Sequence, residues 1–243
     1  MRIGILGTGT ITSAVVHGIA ADGHQITVSE RGTEKSAALA KTYENVTVAD
    51  NQTVLDNTDI VFLGLIAEAA PAILSALTFR SDQRIITVMA GATLEEADDM
   101  VSPATAAAIM MPFPSIATGG SAIMMQGDAD LIGTLFGARN QIFELRSAEE
   151  MSAYLCAQAV LSPVARMVDD AARWLAARVE DQAQGEMFLR HLVTSGLEAS
   201  TAASLIEALN TPGGYNQRLR QHMEAAGTGA TLNEGLTKLE TGS

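Results

Sequence analysis

Two glycines, Gly7 and Gly9, follow directly on the short apolar run Ile3–Leu6 and precede Thr10, Ile11 and Thr12. That order suits the gripping of a phosphate. Gly7 permits a tight turn out of a strand. Gly9 has no side chain, so a pyrophosphate can approach the backbone, and a helix starting at Thr10 and Ile11 offers N–H donors and a partial positive charge. The third position of the dinucleotide fingerprint, usually glycine or alanine, is Thr12. Threonine is bulkier and loosens the match. The alternative is a plain strand-to-helix turn.

A second group decides which dinucleotide fits. Val28-Ser29-Glu30-Arg31-Gly32-Thr33-Glu34-Lys35 follows the next apolar run. A carboxylate at the end of the second strand bonds the ribose hydroxyls of NAD, and Glu30 has that chemistry. Arg31 has the chemistry to pair with the 2′-phosphate of NADP, with Ser29 and Lys35 assisting. Ser29 at the strand end tilts the expectation to NADP, and Glu30 keeps NAD open. Without a ligand the segment reads as a solvated loop with Thr33 as the cap of the following helix.

The other reactive side chains form no comparable pattern. His17, His24, His191 and His222 are scattered with no metal-ligand spacing, so no metal is expected. No Ser-His-Asp arrangement or carboxylate pair stands out. Met110, Met111, Met124 and Met125 read as core filling, and Trp174 as a helix or subunit contact.

The bulk properties bound the function. The chain has 243 residues, 47% of them apolar, with 15 lysines and arginines against 28 acidic residues and a net charge of −13. Such an acidic protein is not expected to bind nucleic acid or anionic membrane surfaces. No apolar run is long enough for a membrane span, and no secretory signal pattern opens the sequence. The one cysteine, Cys156, forms no internal disulfide, and a cytoplasmic location is the simplest expectation.

The elements that must position these residues alternate in type. Strands are expected at Ile3–Leu6, Gln25–Val28, Val46–Val48, Asp59–Leu65, Arg84–Val88, Ala107–Met111 and Ser121–Met125. Helices are expected at Ile11–Asp22, near Glu34–Tyr43 and through Leu77. Nearly continuous apolar strands separated by helices indicate a doubly wound parallel sheet covered on both faces. After about residue 146 strand signals stop. Helical periodicity runs from Met151 to Leu175, then over Gln184–Leu209 with a break near Ser195-Gly196, then around Gln217–Ala226 and Leu232–Leu239. The expected organisation is α/β: a Rossmann-type domain over 1–147 and an all-helical domain over 148–243.

Taken together, several stretches resemble the pyrroline-5-carboxylate reductase family. They are the Gly7-Thr-Gly9-Thr-Ile motif, Ser29-Glu30-Arg31 with its helix, Asp59-Ile-Val-Phe-Leu-Gly-Leu, Met89-Ala90-Gly91-Ala-Thr93-Leu94-Glu95, Met111-Pro112, Gly119-Gly120, and Thr211-Pro212-Gly213-Gly214. The order and spacing hold over most of the chain. The resemblance implies hydride transfer from NADPH or NADH to the C=N bond of a small cyclic imine. It also implies a homodimer built by the helical domain, and a nicotinamide path lined by Gly64, Leu65, Ile66, Ala90 and Gly91.

The chain departs from the family pattern on the substrate side. Ile66-Ala67 stands where lysine-proline is usual, Phe113 where asparagine follows the proline, and Tyr215-Asn216 where two threonines follow the glycine pair. The helical domain begins with Val160-Leu161-Ser162-Pro163 rather than the family's glycine-rich turn. By the resemblance, Ser162 and Thr211 are the candidate substrate hydroxyls, Thr211 acting on a carboxylate with the N–H groups of Gly213 and Gly214. Pyrroline-5-carboxylate is the leading substrate. Another imine or carbonyl, or a cofactor-binding regulatory protein without turnover, are the alternatives.

Overall fold

A computed structural model describes residues 1–242. In its first part strands and helices alternate: β1 (Arg2–Leu6), α1 (Thr10–Ile19), β2 (Gln25–Ser29), α2 (Thr33–Thr42), β3 (Val46–Ala49), α3 (Asn51–Asn57), β4 (Ile60–Leu63), α4 (Ala70–Leu74), β5 (Arg84–Thr87), α5 (Leu94–Val101), β6 (Thr105–Pro112), β7 (Ala122–Gly127), α6 (Ala129–Phe136) and β8 (Gln141–Glu144). Only helices follow: α7 (Ala148–Ala157), α8 (Leu161–Ala176), α9 (Gln182–Ala199), α10 (Ala202–Ala208), α11 (Tyr215–Ala225) and α12 (Thr228–Thr241). The chain divides into two compact units after Met151, within α7.

The eight strands form one sheet in the order β3-β2-β1-β4-β5-β6-β7-β8. Successive residues of a strand feed opposite faces. In β4, Ile60 and Phe62 enter one buried cluster while Val61 and Leu63 enter the other. Burial on both sides explains why the central strands are continuously apolar. Between β1 and β4 the order reverses, because the chain leaves β1 toward β2 and β3 and then crosses back. The carboxyl ends of β1 and β4 therefore open a crevice at the sheet's switch point.

The sheet is not wholly parallel, as the sequence led us to expect: β7 runs antiparallel to β6. Residues 113–121, which join them, are too few for the helical crossover that a parallel neighbour needs. The apolar-run criterion also missed β8, because this edge strand carries Gln141 and Glu144 and lies largely exposed. The helix expected through Leu77 is a 3-10 turn at Ala67–Ala69 followed by the short α4.

In the second unit, α8 packs on α9, α9 on α10, and α11 on α12. The break expected at Ser195-Gly196 does not occur. The Ser195 hydroxyl donates to the His191 carbonyl at 2.7 Å, and Thr194 donates to Arg190 at 3.0 Å, so both side chains are satisfied inside an unbroken helix. The helix ends instead at Ser200, where Thr201 caps α10. None of the described residues of α8 to α12 is fully buried.

Candidate functional site

The glycine loop links β1 to α1 at the switch point. Gly7 adopts φ +89°, a conformation that strains any side chain, and a Cβ there would lie 2.5 Å from the Gly64 carbonyl oxygen. Gly9 caps α1 without a side chain, and a Cβ built on it would meet nothing nearer than the Thr12 hydroxyl at 3.9 Å. Its outer side is therefore open space. The first helical carbonyl bond runs from Ser13 N–H to Gly9 O. The N–H groups of Thr10 and Ile11 make no hydrogen bond among the described residues. Two free donors at the positive end of a ten-residue helix, with bare backbone beside them, form a cradle for an anion.

Thr12, the position that departs from the fingerprint, closes this loop. Its hydroxyl donates to Gly7 O at 2.7 Å and accepts the Gly9 N–H at 2.8 Å. The residue is only 1% exposed. Space for its methyl comes from across the crevice, because a Cβ on Gly64 would lie 2.2 Å from Thr12 Cγ2.

Ser29 has a different place from the one expected. It is fully buried, and its hydroxyl accepts the Gly7 N–H at 2.8 Å. It braces the glycine loop from below and does not face a 2′-phosphate. Thr8 extends the stitching: its hydroxyl donates to Ser29 O at 3.1 Å and its N–H donates to Arg31 O at 3.2 Å. The cap of α2 is Gly32 at φ +87°, not Thr33, because a Cβ on Gly32 would lie 2.5 Å from Thr8 O. The β2–α2 turn thus sits directly on the glycine loop. It presents Arg31, whose exposed guanidinium makes no hydrogen bond or ion pair among the described residues. Lys35, from the first turn of α2, donates to the Thr10 hydroxyl at 2.8 Å. Glu30 is exposed beside them.

On the other side of the crevice, Gly64 continues from β4, its N–H bonded to Leu6 O at 2.8 Å. Leu65 is half-buried and packs on the core, while Ile66 is 66% exposed. Ala90 and Gly91 lie exposed past the end of β5, with Gly91 at φ +87° and open space where a Cβ would stand. These two residues, with Ala67, Glu68, Pro71 and Met100, line an open cavity of about 460 Å³. The structure therefore brings together the cofactor-side residues of the first unit around the carboxyl ends of β1, β2, β4 and β5.

Ser162 and Thr211 belong to the second unit. Ser162 is the exposed second residue of α8, and Thr211 lies in the exposed turn between α10 and α11. The donors expected to help Thr211 are already engaged. Gly213 N–H donates to Gln217 Oε1 at 2.8 Å, and Gly214 N–H donates to Thr211 O at 2.9 Å. A larger cavity of about 660 Å³ in this unit is an apolar groove lined by Val160, Met167, Leu232 and Leu239. It is part of the uncovered helical surface and brings no reactive groups together. No cluster of metal-ligating side chains occurs among the described residues, and no helix there is long and apolar enough to cross a membrane.

Sequence reasoning missed the bonding roles of Thr8 and Thr12 and the Lys35–Thr10 contact. The one available signal was the run of hydroxyl residues at 8, 10 and 12, the first between the two glycines and the others just after them.

Residues 2–91 match a family model described as NADP oxidoreductase coenzyme F420-dependent. A comparison with curated protein sequences finds no match. Among solved structures, the chain is similar to 1-pyrroline-5-carboxylate reductase from Streptococcus pyogenes, with TM-score 0.82, 21% identity, and 99% of this chain and 97% of that one covered. It is similar to pyrroline carboxylate reductase from Plasmodium falciparum with NADP bound, with TM-score 0.82, 14% identity and coverage of 99% and 96%. An imine reductase from Aspergillus terreus in complex with NADPH4 and dibenz[c,e]azepine is more distant, with TM-score 0.57, 17% identity and coverage of 86% and 76%. At these identities the likeness is one of fold, and it extends over both units.

Proposed function

We propose that this protein is a nicotinamide-dependent oxidoreductase that reduces the C=N bond of a small cyclic imine, with NADPH as the hydride donor. The observation that carries this reading is the bare amino end of α1 at the switch point, where Thr10 and Ile11 hold two unpaired N–H donors beside a glycine with open space over it. The matched family model and the fold of the pyrroline-5-carboxylate reductases support it.

The residues fit the cofactor from end to end. Gly9, Thr10 and Ile11 receive the diphosphate. Arg31, unpaired and placed on the adenosine side of the loop, receives a 2′-phosphate. Gly64, Leu65, Ile66, Ala90 and Gly91 line the path of the nicotinamide across the strand ends. Reduced nicotinamide, when bound, supplies the hydride to the imine carbon. A substrate that arrives as the protonated iminium then needs orientation and exclusion of water from the protein more than it needs acid catalysis.

The leading substrate is 1-pyrroline-5-carboxylate, reduced to proline, with the Ser162 and Thr211 hydroxyls as the substrate-side candidates. A second reading, an imine without the carboxylate, is favoured by one specific observation. In the loop that the resemblance assigns to that carboxylate, the Gly213 and Gly214 N–H groups are already bonded within the chain.

The second unit is read as a dimerisation module completed by a second copy of the chain. Its helices bury no residue fully, and Leu161, Trp174, Phe188, Leu192 and Leu219 are each more than half exposed.

NADPH oxidation followed at 340 nm with a panel of cyclic imines tests the proposal. Turnover of pyrroline-5-carboxylate supports the leading reading, and turnover of an uncharged imine alone supports the second. Cofactor binding without turnover of any panel member indicates a regulatory protein. Failure to bind NADPH and NADH at millimolar concentration refutes all of these.

A further inference from the structure

We infer that Thr12 is a positioning residue that holds the glycine loop in its dinucleotide-binding form before any dinucleotide arrives; this rests on the cofactor reading above. A loop of two glycines has many accessible conformations, and a ligand that selects one of them binds more weakly in proportion to how rarely it is populated. Ser29 and Thr8 brace the loop from below, and the buried Thr12 hydroxyl ties its two glycines to each other. It donates to the carbonyl of the first glycine and accepts the N–H of the second, at 2.7 and 2.8 Å. Gly9 has no side chain with which to cap its own helix, and the third residue of α1 reaches back to bond the Gly9 N–H.

The same bond sorts the donors at the helix start. It consumes the Gly9 N–H and leaves those of Thr10 and Ile11 for a ligand. The two halves of the Thr12 side chain therefore have separable roles. The hydroxyl sets the loop. The methyl fills the space over Gly64 and contributes to packing.

Two near-isosteric substitutions separate these roles in the full-length protein. Thr12→Val keeps the packing volume and removes the hydroxyl. Its dissociation constants for NADPH and NADH both rise, by the same factor of about ten, because a loop with the buried Gly7 carbonyl unpaired and the Gly9 N–H released leaves the competent form before any feature of the cofactor is read. Thr12→Ser keeps the hydroxyl and loses the methyl. It melts at a lower temperature yet binds both cofactors within about twofold of the wild type. Amide exchange in the free wild-type protein gives a check that needs no variant: the Gly9 N–H is protected while those of Thr10 and Ile11 exchange freely.

Unchanged affinity in Thr12→Val would overturn the inference, as would loss of affinity for one cofactor alone, or an unprotected Gly9 N–H in the wild type. Thr12→Ser binding as poorly as Thr12→Val would show that packing, not the hydroxyl, sets the loop, and would also overturn it. A wild-type protein that binds neither cofactor would overturn the cofactor reading itself, and is distinguishable from these outcomes because in each of them the wild type still binds.

Discussion

The methyl group of Thr12 occupies the volume that a side chain at position 64 would need: a Cβ built on Gly64 lies 2.2 Å from Thr12 Cγ2 and 2.8 Å from the Gly7 carbonyl oxygen. The first turn of α1 and the exit of β4 are thus fitted to each other across the switch point. Gly64→Ala should overpack the crevice and destabilise the protein by about 1–3 kcal/mol in urea unfolding. Adding Thr12→Ser should recover part of that loss, because one of the two clashes is with the methyl. Strict additivity of the two substitutions would show that the contact is not felt.

Gly9 behaves oppositely, because the space above it is open. Gly9→Val should abolish binding of NADPH and NADH while moving the melting temperature by no more than a few degrees, a change on the scale of a weakened helix cap. Retained binding, measured by quenching of cofactor fluorescence, would place the diphosphate elsewhere.

Arg31 is exposed beside the glycine loop, and its guanidinium makes no hydrogen bond or ion pair among the described residues. Arg31→Ala should raise the dissociation constant for NADPH by tenfold or more and that for NADH by less than threefold, since a lost charge-assisted bond to phosphate is worth about 1.5–3 kcal/mol. Equal losses would refute its role at a 2′-phosphate.

At the opposite end of the sheet, Arg2 Nε donates to Asp59 Oδ2 at 2.9 Å, and this bond, helped by the charge of Arg2 and Arg80, holds the Asp59 carboxyl below its ordinary value of 3.8. A carboxyl depressed in the folded state stabilises it fully above the unfolded value, and the contribution is lost as pH falls through the lower folded value. Both side chains are about half exposed, so the effect is small and salt-sensitive. Urea midpoints from pH 6 to pH 2 should fall less steeply below pH 4 for Asp59→Asn than for the wild type, with cofactor affinity at pH 7 unchanged. Parallel curves would remove Asp59 from the acid limb.

The helical unit should be covered by a second copy. Sedimentation of the wild type should give a dimer or a larger even assembly, and Phe188→Asp with Leu192→Asp, four residues apart on α9, should shift it toward monomer. A wild-type monomer at micromolar concentration would leave those two side chains, 58% and 55% exposed, without the partner proposed here.

How much of this could be read from residues alone followed from how each element is buried. β1, β4 and β5 are covered on both faces, so their apolar runs announced a layered α/β sheet. β8 lies exposed at an edge and gave no such signal. The glycine loop was legible because glycine at 7 answers a backbone demand that no other residue meets as well. Ser29 was misread because a strand-end serine looks the same whether its hydroxyl points at a ligand or, as here, at the Gly7 N–H beneath the loop. The place of Thr12 was not legible, because the room for its methyl comes from the empty position across the crevice at Gly64, which only the β1–β4 pairing reveals. In the helical half the spacing located the helices. The continuity of α9 through Ser195-Gly196 depends on hydroxyl back-bonds that composition does not show.

The central claim is that the amino end of α1 receives the diphosphate of a nicotinamide dinucleotide. Backbone amide spectra recorded during an NADPH titration test it most directly. The largest saturable shifts should fall on Gly9, Thr10 and Ile11, and should disappear in Gly9→Val. Saturable shifts confined to any other part of the chain, or none at millimolar NADPH, would contradict it.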